Sequence, residues 1–85
     1  GEWTQAAELY ERALAANPRR GSIWVQLGNM RKEAGRFDLA AQAYQRALRC
    51  IPRDPDLYVQ IGHWRKLMGN PRGAQEAYQA ALACN

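Results

Sequence analysis

Only one histidine, two cysteines and one phenylalanine occur in these 85 residues. No apolar run is long enough to cross a membrane as a helix. Each scarcity removes a class of function. His63 stands alone and no cysteine–histidine cluster has ligand spacing, so the sequence offers no metal site. Cys50 and Cys84 are 34 positions apart. Equivalent sites in stacked helix pairs lie on the order of 10 Å from each other, beyond disulfide reach. The two thiols are therefore expected to act as small apolar residues of a reducing, cytoplasmic compartment. There is no signal-peptide pattern and no strand alternation. No nucleophile is paired with a base, no carboxylate pair is set for acid–base work, and no glycine-rich loop leads from a strand into a helix. The chain reads as non-enzymatic and without a cofactor.

What the chain does contain is a period. Trp3, Phe37 and Pro71 recur every 34 residues, as do Ala6, Ala40 and Ala74, and Tyr10, Tyr44 and Tyr78. Ala13, Ala47 and Ala81 follow the same interval, and so do Leu14, Leu48 and Leu82. Trp24 with Tyr58, Leu27 with Ile61, Gly28 with Gly62, Gly35 with Gly69 and Pro18 with Pro52 complete the pattern. Self-similarity at this interval belongs to stacked repeats, in which no unit buries its apolar face alone. Such a protein works by presenting a surface. The net charge of +4 permits an acidic partner without requiring one.

Helical spacing of apolar residues and clear punctuation predict five helices. They run from about Trp3 to Ala16, Ser22 to Ala34, Phe37 to Cys50, Pro55 to the residue before Gly69, and Pro71 to the chain end. Asp54-Pro55 and Asn70-Pro71 each place an N-capping residue before a proline in the first turn. All connections are short, so consecutive helices should be antiparallel neighbours. The register divides the chain into residues 1–20, the second helix of a truncated repeat; 21–54, a complete repeat; and 55–85, a repeat lacking its last residues. With no polar capping helix at either side, the expectation is a fragment of a longer array.

Trp24-x-x-Leu27-Gly28, Gly35, Phe37, Ala40, Tyr44, Ala47-Leu48 and Pro52 resemble the tetratricopeptide repeat. Tyr58-x-x-Ile61-Gly62, Gly69, Ala74, Tyr78 and Ala81-Leu82 match it again, and Trp3, Ala6, Tyr10, Ala13-Leu14 and Pro18 match its second half. The resemblance spans the whole chain. It implies an all-α fold: a right-handed superhelical α-solenoid of antiparallel helix pairs, about two and a half repeats long. It also implies a protein- or peptide-binding scaffold whose front helices line a concave groove. A finer likeness lies in segments 27–36 and 61–69. They resemble repeats attached to bacterial glycosyltransferase-type proteins, which would make this chain the substrate-positioning part of a larger enzyme. One departure from the family pattern is clear. Arg31 and Arg65 stand where an aromatic is usual. Their stems are expected to pack while the guanidinium groups reach solvent; the alternative for Arg31 is an ion pair with Glu8 or Glu11.

At 100° per residue, Ser22, Val25, Asn29 and Lys32 form a stripe on the second helix, and Asp56, Val59, His63 and Lys66 form its counterpart on the fourth. The resemblance makes these eight residues the peptide-binding groove. Amide, imidazole and ammonium donors suit a carboxylate or a peptide backbone. The basic residues argue against nucleic acid, because acids intersperse them and they form no single stripe with aromatics. The end helices should leave parts of Trp3, Tyr10 and Leu14, and of Tyr78, Ala81 and Leu82, uncovered. Such faces would allow a homo-oligomer.

Overall fold

The computed structural model of the chain describes residues 2–84. Among them are five helices: α1 (Glu2–Ala16), α2 (Gly21–Glu33), α3 (Phe37–Cys50), α4 (Pro55–Leu67) and α5 (Pro71–Ala83). No strand occurs among the described residues. Each boundary has a local cause. The Asp54 carboxylate accepts from the Asp56 N–H at 2.9 Å, and Pro55 occupies the first turn of α4. Asn70 does the same for α5, accepting from the Gly73 N–H at 2.9 Å ahead of Pro71. Gly35 and Gly69 end α2 and α4 with φ of 76° and 78°. Their N–H groups donate to the Lys32 and Lys66 carbonyls, and the next residues, Arg36 and Asn70, donate to Arg31 and Arg65. That is the Schellman closure, which needs a left-handed residue and so favours glycine.

The chain forms two compact units, Gly1–Pro52 and Arg53–Asn85. In the first, α2 packs against both α1 and α3. Leu14, Leu27 and Ala43 make a buried cluster, flanked by Ala7, Tyr10, Ile23 and Trp24. The α2–α3 pair is antiparallel. A Cβ on Gly21, at the start of α2, would lie 2.9 Å from Cys50 at the end of α3. At the opposite end, the Arg31 guanidinium donates to the Leu39 carbonyl at 3.1 Å. Ala40, Ala43, Tyr44 and Ala47 form the buried face of α3. In the second unit α4 packs on α5 in the same manner, with Leu57, Ile61 and Gly62 facing Gly73, Ala74, Ala77 and Ala81 as the buried sets.

The expected solvent-reaching arginines are not what the structure shows. Arg65 repeats the Arg31 bond, donating to the Gly73 carbonyl at 3.0 Å. Each guanidinium ties the end of a front helix to the first turn of the back helix in its own pair. The position usually filled by an aromatic is thus filled by a packed stem and a hydrogen-bonded head. Arg31 also approaches Glu11, not Glu8, at 3.8 Å. Glu11 is half-exposed, so this pair adds little stability.

The uncovered faces are smaller than the sequence predicts. Trp3 and Leu82 are exposed, but Leu14 and Ala81 are buried. Leu14 turns into the cluster with Leu27 rather than outward. Both cysteines are free and half-buried, and the Cys50 thiol donates to the Pro18 carbonyl at 3.8 Å.

Candidate functional site

The α4 stripe is accessible along most of its length. Asp56, His63 and Lys66 are exposed, and Val59 is half-buried between them. In the first unit the corresponding residues differ. Ser22 is exposed and Asn29 half-buried, whereas Val25 and Lys32 are only 3% and 6% exposed. The Lys32 ammonium lies 3.9 Å from Glu33, its neighbour in the chain. The accessible donors are therefore the Ser22 hydroxyl and the Asn29 amide in one unit, and the His63 imidazole and Lys66 ammonium in the other.

The equivalent residues Asn29 and His63 share a feature that the sequence reading left out. Each is held from behind by the tyrosine of the paired back helix. Tyr44 donates its hydroxyl hydrogen to Asn29 Oδ1 at 2.8 Å. Tyr78 meets the His63 ring edge to face, with centroids 5.9 Å apart and planes at 67°. The preceding glycines allow this. A Cβ on Gly28 would lie 2.6 Å from Tyr44 Cε1, and one on Gly62 would lie 2.3 Å from Tyr78 Cε1. With only hydrogen there, the tyrosine ring lies against the front-helix backbone and reaches the next side chain. The signal was present in the shared 34-residue interval of Gly28, Asn29 and Tyr44 with Gly62, His63 and Tyr78.

Burial pushes the Tyr44 phenol well above the ordinary tyrosine value, and the nearby Glu33 carboxylate pushes it further. In the unfolded chain the phenol ionises near pH 10, while the folded chain keeps its proton to higher pH. The folded pKa is raised, so the stability present below about pH 10 is lost as pH climbs beyond it. Urea unfolding on either side of about pH 10 should show a steeper alkaline loss in the wild type than in Tyr44→Phe. Equal losses in the two proteins would disprove this coupling.

Among the cavities of the first unit, two share part of their lining, away from the stripe. One of about 320 Å³ is lined by Trp3, Met30 and Leu39 among others. The second, of about 400 Å³, includes Leu14, Trp24 and Arg46. Glu11 and Arg31 line both. Trp24 is held there by its indole N–H donating to the Pro18 carbonyl at 2.7 Å and by the Arg46 guanidinium 5.7 Å from the ring centroid. Among the described residues no group of three or more His, Cys, Asp or Glu is placed to hold a metal. No described helix is long and apolar enough to cross a membrane.

A tetratricopeptide repeat family model matches residues 1–55. Among solved structures, MamA MSR-1 superposes with a TM-score of 0.88 at 24% identity, over 98% of this chain and 48% of its own. A further crystal structure of MamA gives 0.87 at 25% identity, over 99% and 49%. MamA AMB-1 gives 0.86 at 24%, over 99% and 49%. The chain spans about half the length of these MamA chains. At such identities the likeness concerns the fold. It agrees with an all-α architecture of helix pairs, about two and a half repeats in extent. No curated protein matches the chain.

Proposed function

The chain belongs to the tetratricopeptide repeat family, and from that premise we propose that it is a non-catalytic scaffold. Its ligand is a protein or peptide, held along the front-helix stripe. The observation that carries this reading is the α4 face, where Asp56, His63 and Lys66 stand exposed in one line with Val59 between them. A short apolar contact flanked by an imidazole, an ammonium and a carboxylate can recognise an extended peptide by side chain and by backbone. The Asn29 amide offers the same kind of donor at the equivalent place on α2. In this reading residues 21–54 and 55–85 are the two working pairs, and 1–20 supplies a back helix that packs on α2.

An immobilised Asn29→Ala/Lys66→Ala double variant tests the assignment against wild type. Each lost donor to a charged or carbonyl acceptor is worth about 1–3 kcal/mol, so partner recovery should fall at least roughly tenfold. A Glu76→Ala control changes an exposed residue on the back helix and should leave recovery unchanged. Equal recovery of every partner by the double variant would remove the stripe assignment.

A further inference from the structure

We propose that Tyr44 is a positioning residue that locks the Asn29 amide with its NH2 group toward the ligand, so that this place on the stripe accepts only an acceptor oxygen of a peptide. The inference rests on the stripe being the binding face. Three observations on one line of contact carry it. Tyr44 is 2% exposed and is among the largest fully buried side chains. A buried hydroxyl has one hydrogen to give, and leaving it ungiven is costly. Asn29 Oδ1 takes that hydrogen at 2.8 Å. An amide is planar, and its oxygen and nitrogen diverge by about 120° from the same carbon. With the oxygen turned down onto Tyr44, the two N–H donors turn away from it, on a side chain that is half-buried rather than enclosed.

An asparagine free to flip presents either a donor or an acceptor. Asn29 is denied that choice by its partner. Gly28 makes the arrangement possible, since a Cβ there would stand 2.6 Å from the tyrosine ring and push it off. The ligand group that fits is therefore a backbone carbonyl or a carboxylate oxygen, and an N–H donor is refused. Position 63 applies the same support differently. The His63 ring is braced edge to face by Tyr78, an arrangement that restricts the ring plane without consuming a nitrogen. The first unit thus sets hydrogen-bond polarity, while the second sets ring orientation.

Tyr44→Phe removes one oxygen and keeps the ring, so the helices should hold. The first measurement needs no ligand. In ¹⁵N-labelled protein, the Asn29 side-chain amide should show an order parameter near the rigid backbone value of about 0.85 in wild type, and below about 0.6 in Tyr44→Phe. An amide equally ordered in both proteins overturns the role of Tyr44. The second measurement uses two probes: an acetylated hexapeptide of alternating alanine and glutamate with a free carboxylate, and its glutamine counterpart with a terminal amide. Wild type should bind with a shift of the Asn29 amide signals. Tyr44→Phe should weaken that binding about five- to tenfold. Asn29→Asp still accepts from Tyr44 but turns an oxygen outward, and it should lose binding by more than about tenfold. Weakening with both probes assigns the acceptor to the backbone carbonyl, and weakening with the acidic probe alone assigns it to a carboxylate. If neither probe shifts the wild-type Asn29 amide, the acceptor-oxygen assignment fails with the stripe reading, while the order parameter still decides whether Tyr44 holds the amide. Tighter binding by Asn29→Asp would reverse the proposed polarity.

Discussion

Tyr44→Ala should remove about 3–5 kcal/mol of folding stability. Tyr44 fills the space between α2 and α3, and its neighbours on the buried face of α3 are Ala40, Ala43 and Ala47. Alanines cannot swing into a vacated site, so the cavity would stay open and its lining would lose contacts outright. The Asn29 oxygen would also lose its donor. A domain of this size is stabilised by only about 5–15 kcal/mol in total, so the loss is a large fraction of the whole. The same truncation at Tyr78, which is only half-buried, should cost clearly less. Urea unfolding of the two variants decides the matter. A Tyr44→Ala loss below about 2 kcal/mol, or a larger loss at Tyr78, would show that the α2–α3 interface is not packed as described.

Gly28→Leu should be nearly as damaging, at about 3 kcal/mol, the upper end for overpacking. The first carbon of any side chain at this position would already lie 2.6 Å from Tyr44 Cε1 and 2.8 Å from Cδ1. Tyr44 cannot yield, because it is buried on all sides and bonded to Asn29. The helices must then separate, exposing the alanine face of α3. The comparison with Gly62→Leu is informative. There the approach to Tyr78 is shorter, 2.3 Å, yet Tyr78 is half-exposed and has room to move. The variant with the closer contact should therefore be the less destabilised. Thermal unfolding that ranks Gly62→Leu below Gly28→Leu in stability would mean that contact distance, rather than the freedom of the tyrosine, sets the cost.

These two variants also show where sequence reasoning reached and where it stopped. Helix number, helix limits and the antiparallel pairing were all legible. Their signals are local: Asn17-Pro18 stops one helix, Gly35 and Gly69 stop two others, and Asp54-Pro55 and Asn70-Pro71 start two. The positive φ of both glycines and both side-chain caps followed. The stripe residues could be named from angular spacing, which is a property of one helix. Which of them stay accessible could not. Val25 and Val59 have the same residue type and the same register, but one is buried and the other half-buried.

The arginines teach the same point. A basic residue at a core position near a helix end invites the reading that its head reaches water. The structure offers instead a back-helix carbonyl within 3.1 Å of Arg31 and within 3.0 Å of Arg65. Nothing in the run around Arg31 announces that the Leu39 oxygen will be facing it.

The order of residues along this chain settles that it makes helices, where each begins and ends, and that a 34-residue unit recurs, because those outcomes depend on contacts within one or two helical turns. It does not settle how three tyrosines at the same register diverge. Tyr10 is half-buried, Tyr44 enclosed and bonded to Asn29, and Tyr78 half-buried against His63. Similar local sequence meets different neighbours, and a side chain's burial and hydrogen bonds are decided by whatever lies across the interface.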